Sequence, residues 1–140
     1  MISTKGRYAI RFMIDLSEHN EGGAVPLDDI ARRQGISKKY LETVVKMLVN
    51  AGMVKGSSGK GGGYRLLREP EDCTIEEILE TTEGTLAPVA CLECGAEDCP
   101  RKDNCKTLPM WKGFDDMVHT YFAGITVADL RDGTVTPPQL

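Results

Sequence analysis

A mainly α-helical chain with one small β-hairpin is the fold class these 140 residues predict, and three observations carry it. Apolar residues recur at helical spacings of three and four in five separate stretches, each bounded by a capping or breaking residue. One glycine-rich run, Gly56-Ser57-Ser58-Gly59-Lys60-Gly61-Gly62-Gly63, lies between two short alternating segments, the pattern of a hairpin with an extended tip. The last periodic stretch, from about Leu108 to Phe122, carries an apolar stripe too wide for a helix with no sequence neighbour to cover it.

The elements follow in order. Thr4 to Ser17 is predicted helical, with Ser3 at the N-cap and Tyr8, Phe12, Met13 and Leu16 on one face. Asn20-Glu21-Gly22-Gly23 ends it. A short helix runs from Leu27 to Gln34 with Ile30 and Ala31 inward, Gly35 breaks it, and Ser37 caps a third helix to about Asn50 that buries Leu41, Val44, Val45 and Leu48. Met53-Val54-Lys55 and Tyr64-Arg65-Leu66-Leu67 flank the glycine tip. Thr74 caps a helix holding Ile75, Ile78 and Leu79, with Glu76 and Glu77 in its first turn. After a cysteine-rich loop the long last helix presents Leu108, Trp111, Phe114, Met117, Val118, Tyr121 and Phe122, a face for a second copy of the chain. From Arg131 onward a loose tail is expected.

Leu27 to Val44 meets the constraints of a helix-turn-helix together. Ala31 is small where the helices cross, Gly35 supplies positive φ, and Ile36, Leu41 and Val44 lock the pair. The start of the third helix would then enter a major groove with Ser37, Lys38, Lys39, Tyr40 and Thr43. Lys38 and Lys39 suit phosphates, Tyr40 and Thr43 suit bases, and Glu42 is either a solvated residue or a discriminator that accepts from cytosine. The glycine run lacks the Gly-Lys-Ser/Thr that enters a helix in a nucleotide cradle, so a wing or a plain turn remains. As a wing it would bring Lys60, with Lys55 and Arg65 nearby, to a minor groove. Lys5 and Arg7 of the first helix complete the DNA-contacting set, and the partner is a double-stranded operator.

Charge supports this placement. Residues 1–68 hold twelve Lys and Arg against six acids, whereas residues 69–140 hold five against fifteen, so a net −4 conceals a cationic front half. No apolar run reaches the roughly 18 residues of a membrane span. The start has no signal-peptide core, so a cytoplasmic location, with thiols kept reduced, is expected. Neither a Ser/His/Asp nor a paired-carboxylate constellation stands out, and no enzyme is expected. A dithiol oxidoreductase using Cys91 and Cys94 lacks the strand before and the helix directly after that the motif needs. A winged head that binds protein instead of DNA is the other rival, separable by salt dependence.

Four of five cysteines crowd into Cys91 to Cys105 with spacing C-x2-C-x4-C-x5-C. Thiolates held close repel until a cation neutralises them, so Cys91, Cys94, Cys99 and Cys105 are candidate metal ligands. A structural zinc or a bare thiol switch also suits this spacing. Acids Glu93, Glu97, Asp98 and Asp103 surround the thiols, partly offset by Arg101, Lys102 and Lys106. Cys73 reads as a small buried residue, and His119 and His19 as surface residues.

Thr4-Lys-Gly-Arg-Tyr-Ala9, Ile30-Ala-Arg-Arg-Gln-Gly-Ile-Ser37, Tyr40-Leu-Glu42, Gly61-Gly-Gly-Tyr64 and Cys99…Cys105…Trp111 together resemble the IscR-type regulators of the Rrf2 family over residues 1 to about 130. The resemblance implies a homodimeric winged helix-turn-helix transcription factor whose long C-terminal helices pair. It also implies an iron–sulfur cluster, [2Fe–2S] in type, in the loop before that helix, and it is what places iron–sulfur ahead of zinc. Cys99 and Cys105 match the family's ligand positions, with Cys91 or Cys94 as the third. Two departures stand out: the family's histidine ligand three residues after the last cysteine is Leu108 here, and the wing arginine of some members is Ser58. Relatives that sense cysteine metabolism or nitric oxide share the fold. The expected organisation is a DNA-binding head over 1–70, a short helix and cluster loop over 71–106, and a dimerisation helix with tail over 107–140.

Overall fold

The computed structural model describes residues 2–139. It contains α1 (Thr4–Glu18), α2 (Leu27–Gln34), α3 (Lys38–Asn50), β1 (Val54–Ser57), β2 (Gly63–Leu66), α4 (Ile75–Glu83), α5 (Leu108–Ala123) and α6 (Val127–Asp132). The mainly α class and the hairpin agree with what the sequence predicts. At the centre lies α1, packed against α2, α3, α4 and α6. Its predicted face is buried as spaced: Phe12, Met13 and Leu16 are fully enclosed, Tyr8 half-buried. Truncating a Phe enclosed like Phe12 typically costs about 3–5 kcal/mol.

Local chemistry accounts for the boundaries. Gly35 takes φ 64°, the left-handed C-cap that lets α2 turn into α3, and Ser37 Oγ accepts from the Tyr40 amide at 3.2 Å. Thr74 and Glu77 exchange hydrogen bonds as a capping box at the start of α4. Ser3 occupies the N-cap position of α1, but its hydroxyl does not cap the helix. Its amide and hydroxyl both donate to Glu83 Oε1, at 2.8 and 2.7 Å, so α1 begins clamped to the end of α4.

In the hairpin Val54 pairs with Leu66, Lys55 with Arg65, Gly56 with Tyr64 and Ser57 with Gly63. Val25 and Tyr64 exchange amide–carbonyl bonds at 2.8 Å each way, fastening the hairpin to the segment before α2. Gly63 permits this approach. Its φ is 151°, and a Cβ there would stand 2.3 Å from the Val25 carbonyl oxygen.

After α5 the structure adds an element not among those expected from the sequence: Val127–Asp132 form α6, with a Thr126–Asp129 capping box and Gly133 as left-handed cap. Of the tail expected to be loose from Arg131, Arg131 and Asp132 are therefore helical, whereas residues 134–139 carry no regular structure. The cause of the added helix is burial: Val127 is fully enclosed and Ala128 nearly so against α1. The Val127 amide donates to the Cys73 carbonyl and the Ile75 amide to the Ile125 carbonyl, both at 2.9 Å. Arg131 donates to Glu71 and Asp132. The last residue of the expected tail, Leu140, lies outside the described residues.

Candidate functional site

The cationic face is smaller than the charge count implies, because several basic residues are used internally. Arg33 grips Asp15 through Nε (3.2 and 3.1 Å) and Nη2 (2.7 Å), and Gln34 Nε2 donates to the same carboxylate at 2.9 Å. Asp15 is only 2% exposed. Burial pushes its carboxyl up, but the Arg33 and Gln34 hydrogen bonds with the Arg33 charge outweigh this and leave it below the ordinary value. Arg32 pairs with Asp29, Lys38 with Asp28 at 3.1 Å, and Arg68 with Glu77. Arg11 donates to Gln34 and lies over the Tyr8 ring.

Among the described residues, Lys5, Arg7, Lys39, Lys46, Lys55, Lys60 and Arg65 have no ion-pair partner. All but Lys5 are well exposed. On α3, Lys39, Glu42 and Thr43 are exposed, whereas Tyr40 is half-buried with its ring edge-on to Tyr8 at 5.4 Å. Ser37 is exposed but spends its oxygen on the cap. In the hairpin Lys55 and Arg65 are cross-strand partners and both exposed. Like charges set opposite each other destabilise a sheet. A phosphate between them would reverse that sign.

The cysteine loop divides its thiols. Cys91, Cys99 and Cys105 line one cavity with Leu108, Glu93, Glu97, Asp98, Lys102 and Lys112. Cys94 instead lines a separate cleft with Glu80, Leu92 and His119. All five cysteines are free, and among the described residues no three loop sulfurs lie within 4.8 Å of one another. A mononuclear zinc needs its sulfurs about 3.8 Å apart, given Zn–S bonds of about 2.3 Å. Cys105 Sγ is 3.4 Å from Thr107 Oγ1; hydrogen bonds from the Thr107 side chain and amide, then from the Leu108 amide at the start of α5, hold its thiol below the ordinary range. Cys73 is fully buried, as the sequence implies, and burial pushes its thiol up.

His119 is the residue the sequence misjudged. It is not a plain surface histidine: Nδ1 lies 2.6 Å from Glu76 Oε1, and the ring sits among Glu76, Glu80 and Asp115 between α4 and α5. The Glu76 hydrogen bond, against a smaller opposing effect of burial, raises its pKa. Only the i, i+4 spacings Glu76–Glu80 and Asp115–His119 hinted at this in sequence. His19 sits at the end of α1, with Nδ1 2.8 Å from the Asp15 carbonyl oxygen.

The apolar face of α5 also divides. Leu108 turns to the cysteine cavity; Trp111, Val118 and Phe122 line a recess with Ile2, Leu86 and Pro88 of the same chain. Phe114 reaches that recess too but is 41% exposed, with Met117 at 63% and Tyr121 at 42%. Met110, 57% exposed and four residues before Phe114, continues the 4-3-4 spacing of Phe114, Met117 and Tyr121 and extends the outer stripe by one turn, although the stripe expected from Leu108 onward omits it.

A head of this kind followed by a cysteine loop and a long helix is matched by a known sequence profile, described as "Rrf2: Iron-dependent Transcriptional regulator", over residues 2–133. The chain belongs to the Rrf2 family. It is 35% identical over 135 residues to the HTH-type transcriptional regulator IscR of Photobacterium profundum, covering 96% of this chain and 77% of that protein. It is likewise 35% identical over 139 residues to Protein rrf2 of Nitratidesulfovibrio vulgaris, covering 97% and 91%. Among solved structures, CymR, described as the global cysteine regulator of B. subtilis, superposes with a TM-score of 0.76 at 36% identity, covering 96% of this chain and 98% of that one. IscR of T. potens superposes with 0.72 at 32%, covering 99% and 93%. This Rrf2 protein is thus an IscR-like transcriptional regulator, with a winged helix fold, and not an enzyme. Among the described residues no helix is long and apolar enough to cross a membrane.

Proposed function

We propose that two copies of this regulator pair along α5 and bind an operator duplex with α3 in the major groove and the hairpin at the minor groove, and that an iron–sulfur cluster in the cysteine loop sets the affinity. One observation carries the sensing half: Cys91, Cys99 and Cys105 share a single cavity at the start of the helix that carries the exposed apolar stripe. The donor set fits such a group. Three thiols face one space, Cys105 is biased toward thiolate, and a cluster spreads its ligands over two or more irons, so it tolerates wider sulfur spacing than one zinc. Leu108 offers no donor atom, which leaves the fourth position to Cys94, after movement out of its cleft, or to a group outside the loop. When bound, the cluster supplies one-electron chemistry and sensitivity to oxidants.

The chain's own residues do the rest. Holding Cys91, Cys99 and Cys105 together orders the loop against the first turn of α5, and α5 orients the partner copy and thereby the second recognition helix. Lys39, Lys46, Lys55, Lys60 and Arg65 then meet phosphates, while Glu42 and Thr43 face base edges. Protein purified without oxygen is expected to be brown, with iron and acid-labile sulfide in equal amounts. Its affinity for duplexes selected from a randomised pool should differ from that of Cys105→Ala by roughly 5–150-fold, the usual range of such coupling. Colourless protein that resists reconstitution, or equal affinities on every selected duplex, refutes the sensing role.

A cluster-free regulator of sulfur metabolism is the second reading. It is favoured by Leu108 at the family's histidine position and by the likeness to CymR. Under it the same affinity change follows thiol oxidation without bound iron.

A further inference from the structure

We propose that Glu76, Glu80 and His119 form a divalent-cation site joining α4 to α5, distinct from the cavity that Cys91, Cys99 and Cys105 share although Cys94 borders its cleft, with Asp115 supporting the imidazole from behind. Each helix contributes an i, i+4 pair of donor side chains, Glu76 and Glu80 from α4, Asp115 and His119 from α5. One donor atom from each of Glu76, Glu80 and His119 lies within 4.8 Å of the other two. Nδ1 is 2.6 Å from Glu76 Oε1 and 3.6 Å from Glu80 Oε1. Ions bound by carboxylate and imidazole at roughly 2.0–2.2 Å hold neighbouring donors about 3 Å apart, so shifts on the order of an ångström complete the site.

The other ring nitrogen supplies an independent observation. Nε2 faces Asp115 Oδ1 at 3.6 Å, too long for a hydrogen bond, and that oxygen is shielded from solvent with no hydrogen-bond partner among the described residues. A buried acceptor left unpaired is unfavourable. Metal-bound imidazoles pair in this way, one nitrogen on the ion and the other N–H on a carboxylate that fixes ring and tautomer. As the cation takes Nδ1 from Glu76, the ring can close on Asp115 and satisfy the orphaned oxygen. Charge points the same way, since three carboxylates against one imidazolium leave an excess of negative charge that a dication removes. Two carboxylates and an imidazole suit Mn²⁺, Fe²⁺, Co²⁺, Ni²⁺ or Zn²⁺. Glu80 is half exposed and, with His119, borders a cleft, which provides an entry path.

Mn²⁺ is the discriminating probe, because soft thiolates are poor ligands for it and the cysteine loop does not compete. Titration of the full chain, read by loss of the free-ion six-line EPR signal, should show one saturable ion per chain. Glu80→Gln, at a half-exposed position that leaves the fold intact, should weaken binding roughly tenfold or more, and Asp115→Asn roughly 10–100-fold. A chain with Cys91, Cys94, Cys99 and Cys105 all changed to Ser should bind Mn²⁺ as before. Absence of saturable binding, unchanged affinity in Glu80→Gln, or loss only in the cysteine variant overturns the site. A folded, unbound chain whose melting temperature alone responds to Glu80→Gln identifies the cluster as an ion pair instead.

Discussion

Replacing Arg33 by Met separates what the basic half does for the fold from what it does for DNA. The Met stem keeps most of the aliphatic packing but removes three N–H···O bonds from a carboxylate that is 2% exposed. Stranding one member of a buried pair costs about 3–5 kcal/mol. Asp15 keeps its bond from Gln34, and Arg33 is itself 30% exposed, so the lower end, about 3 kcal/mol, applies here. For a chain of this size that is a fall in Tm of about 9–12 °C. The pH dependence has a definite sign. In the parent, the Asp15 carboxyl is held below its ordinary value, so its contribution is present above the unfolded pKa and is lost as pH falls through the folded one. Without Arg33, burial dominates and the folded pKa rises above the unfolded one, so the deficit is full at neutral pH and shrinks as acid protonates the carboxyl. Calorimetry of parent and variant between pH 5 and pH 7.5, both roughly chosen to bracket that shift, should therefore show the Tm gap narrowing toward acid. Operator affinity of the folded variant should match the parent. A gap under about 3 °C, or one independent of pH, refutes the structural assignment; weaker operator binding by the folded variant would place Arg33 among the DNA contacts.

Three further outcomes follow. Lys60→Ala or Lys39→Ala should weaken binding equally on all duplexes and reduce the salt slope by about 0.9 for each phosphate no longer neutralised, measured by fluorescence anisotropy at several salt concentrations; an unchanged slope removes that lysine from the interface. Gly63→Ala, with a Cβ forced to 2.3 Å from the Val25 carbonyl, should detach the hairpin and abolish tight operator binding while helical circular dichroism persists. Met117→Glu puts a charge into the outer stripe of α5 and should shift sedimentation from dimer to monomer at micromolar concentrations, whereas an unaltered dimer places the pairing surface elsewhere.

Local signals in the chain proved easy to read and distant ones did not. Gly35 and Ser37 marked the α2–α3 turn because their conformational demands involve only neighbouring residues, and Thr74 with Glu77 marked α4 for the same reason. The Asp15–Arg33 bond joins residues on different helices, so nothing near either one announced that one of the twelve basic residues of the front half is spent inside the fold. His119 looked solitary because one of its acids is a helical turn away and the others belong to a different helix. The cysteine spacing grouped four thiols as equals, yet Cys94 lines a different cleft from the other three, and the turn at Gly95, with φ 77°, directs the chain away from it toward Cys99. A signal for α6 was present: Thr126, Asp129 and Gly133 are its start and stop, but six residues are too few for periodicity to register.

The return of the chain after α5 has a mechanical consequence. Val127 fills space beside α1, and its amide is tied to Cys73, so the far end of α5 is moored inside the body that carries the recognition helix. The near end emerges from the thiol-bearing loop. Any displacement of that near end would be carried through the mooring to α1. A fragment cut after the hairpin would lose the plug that Val127 provides, so the head and the segment after α5 are expected to fold and unfold as one unit.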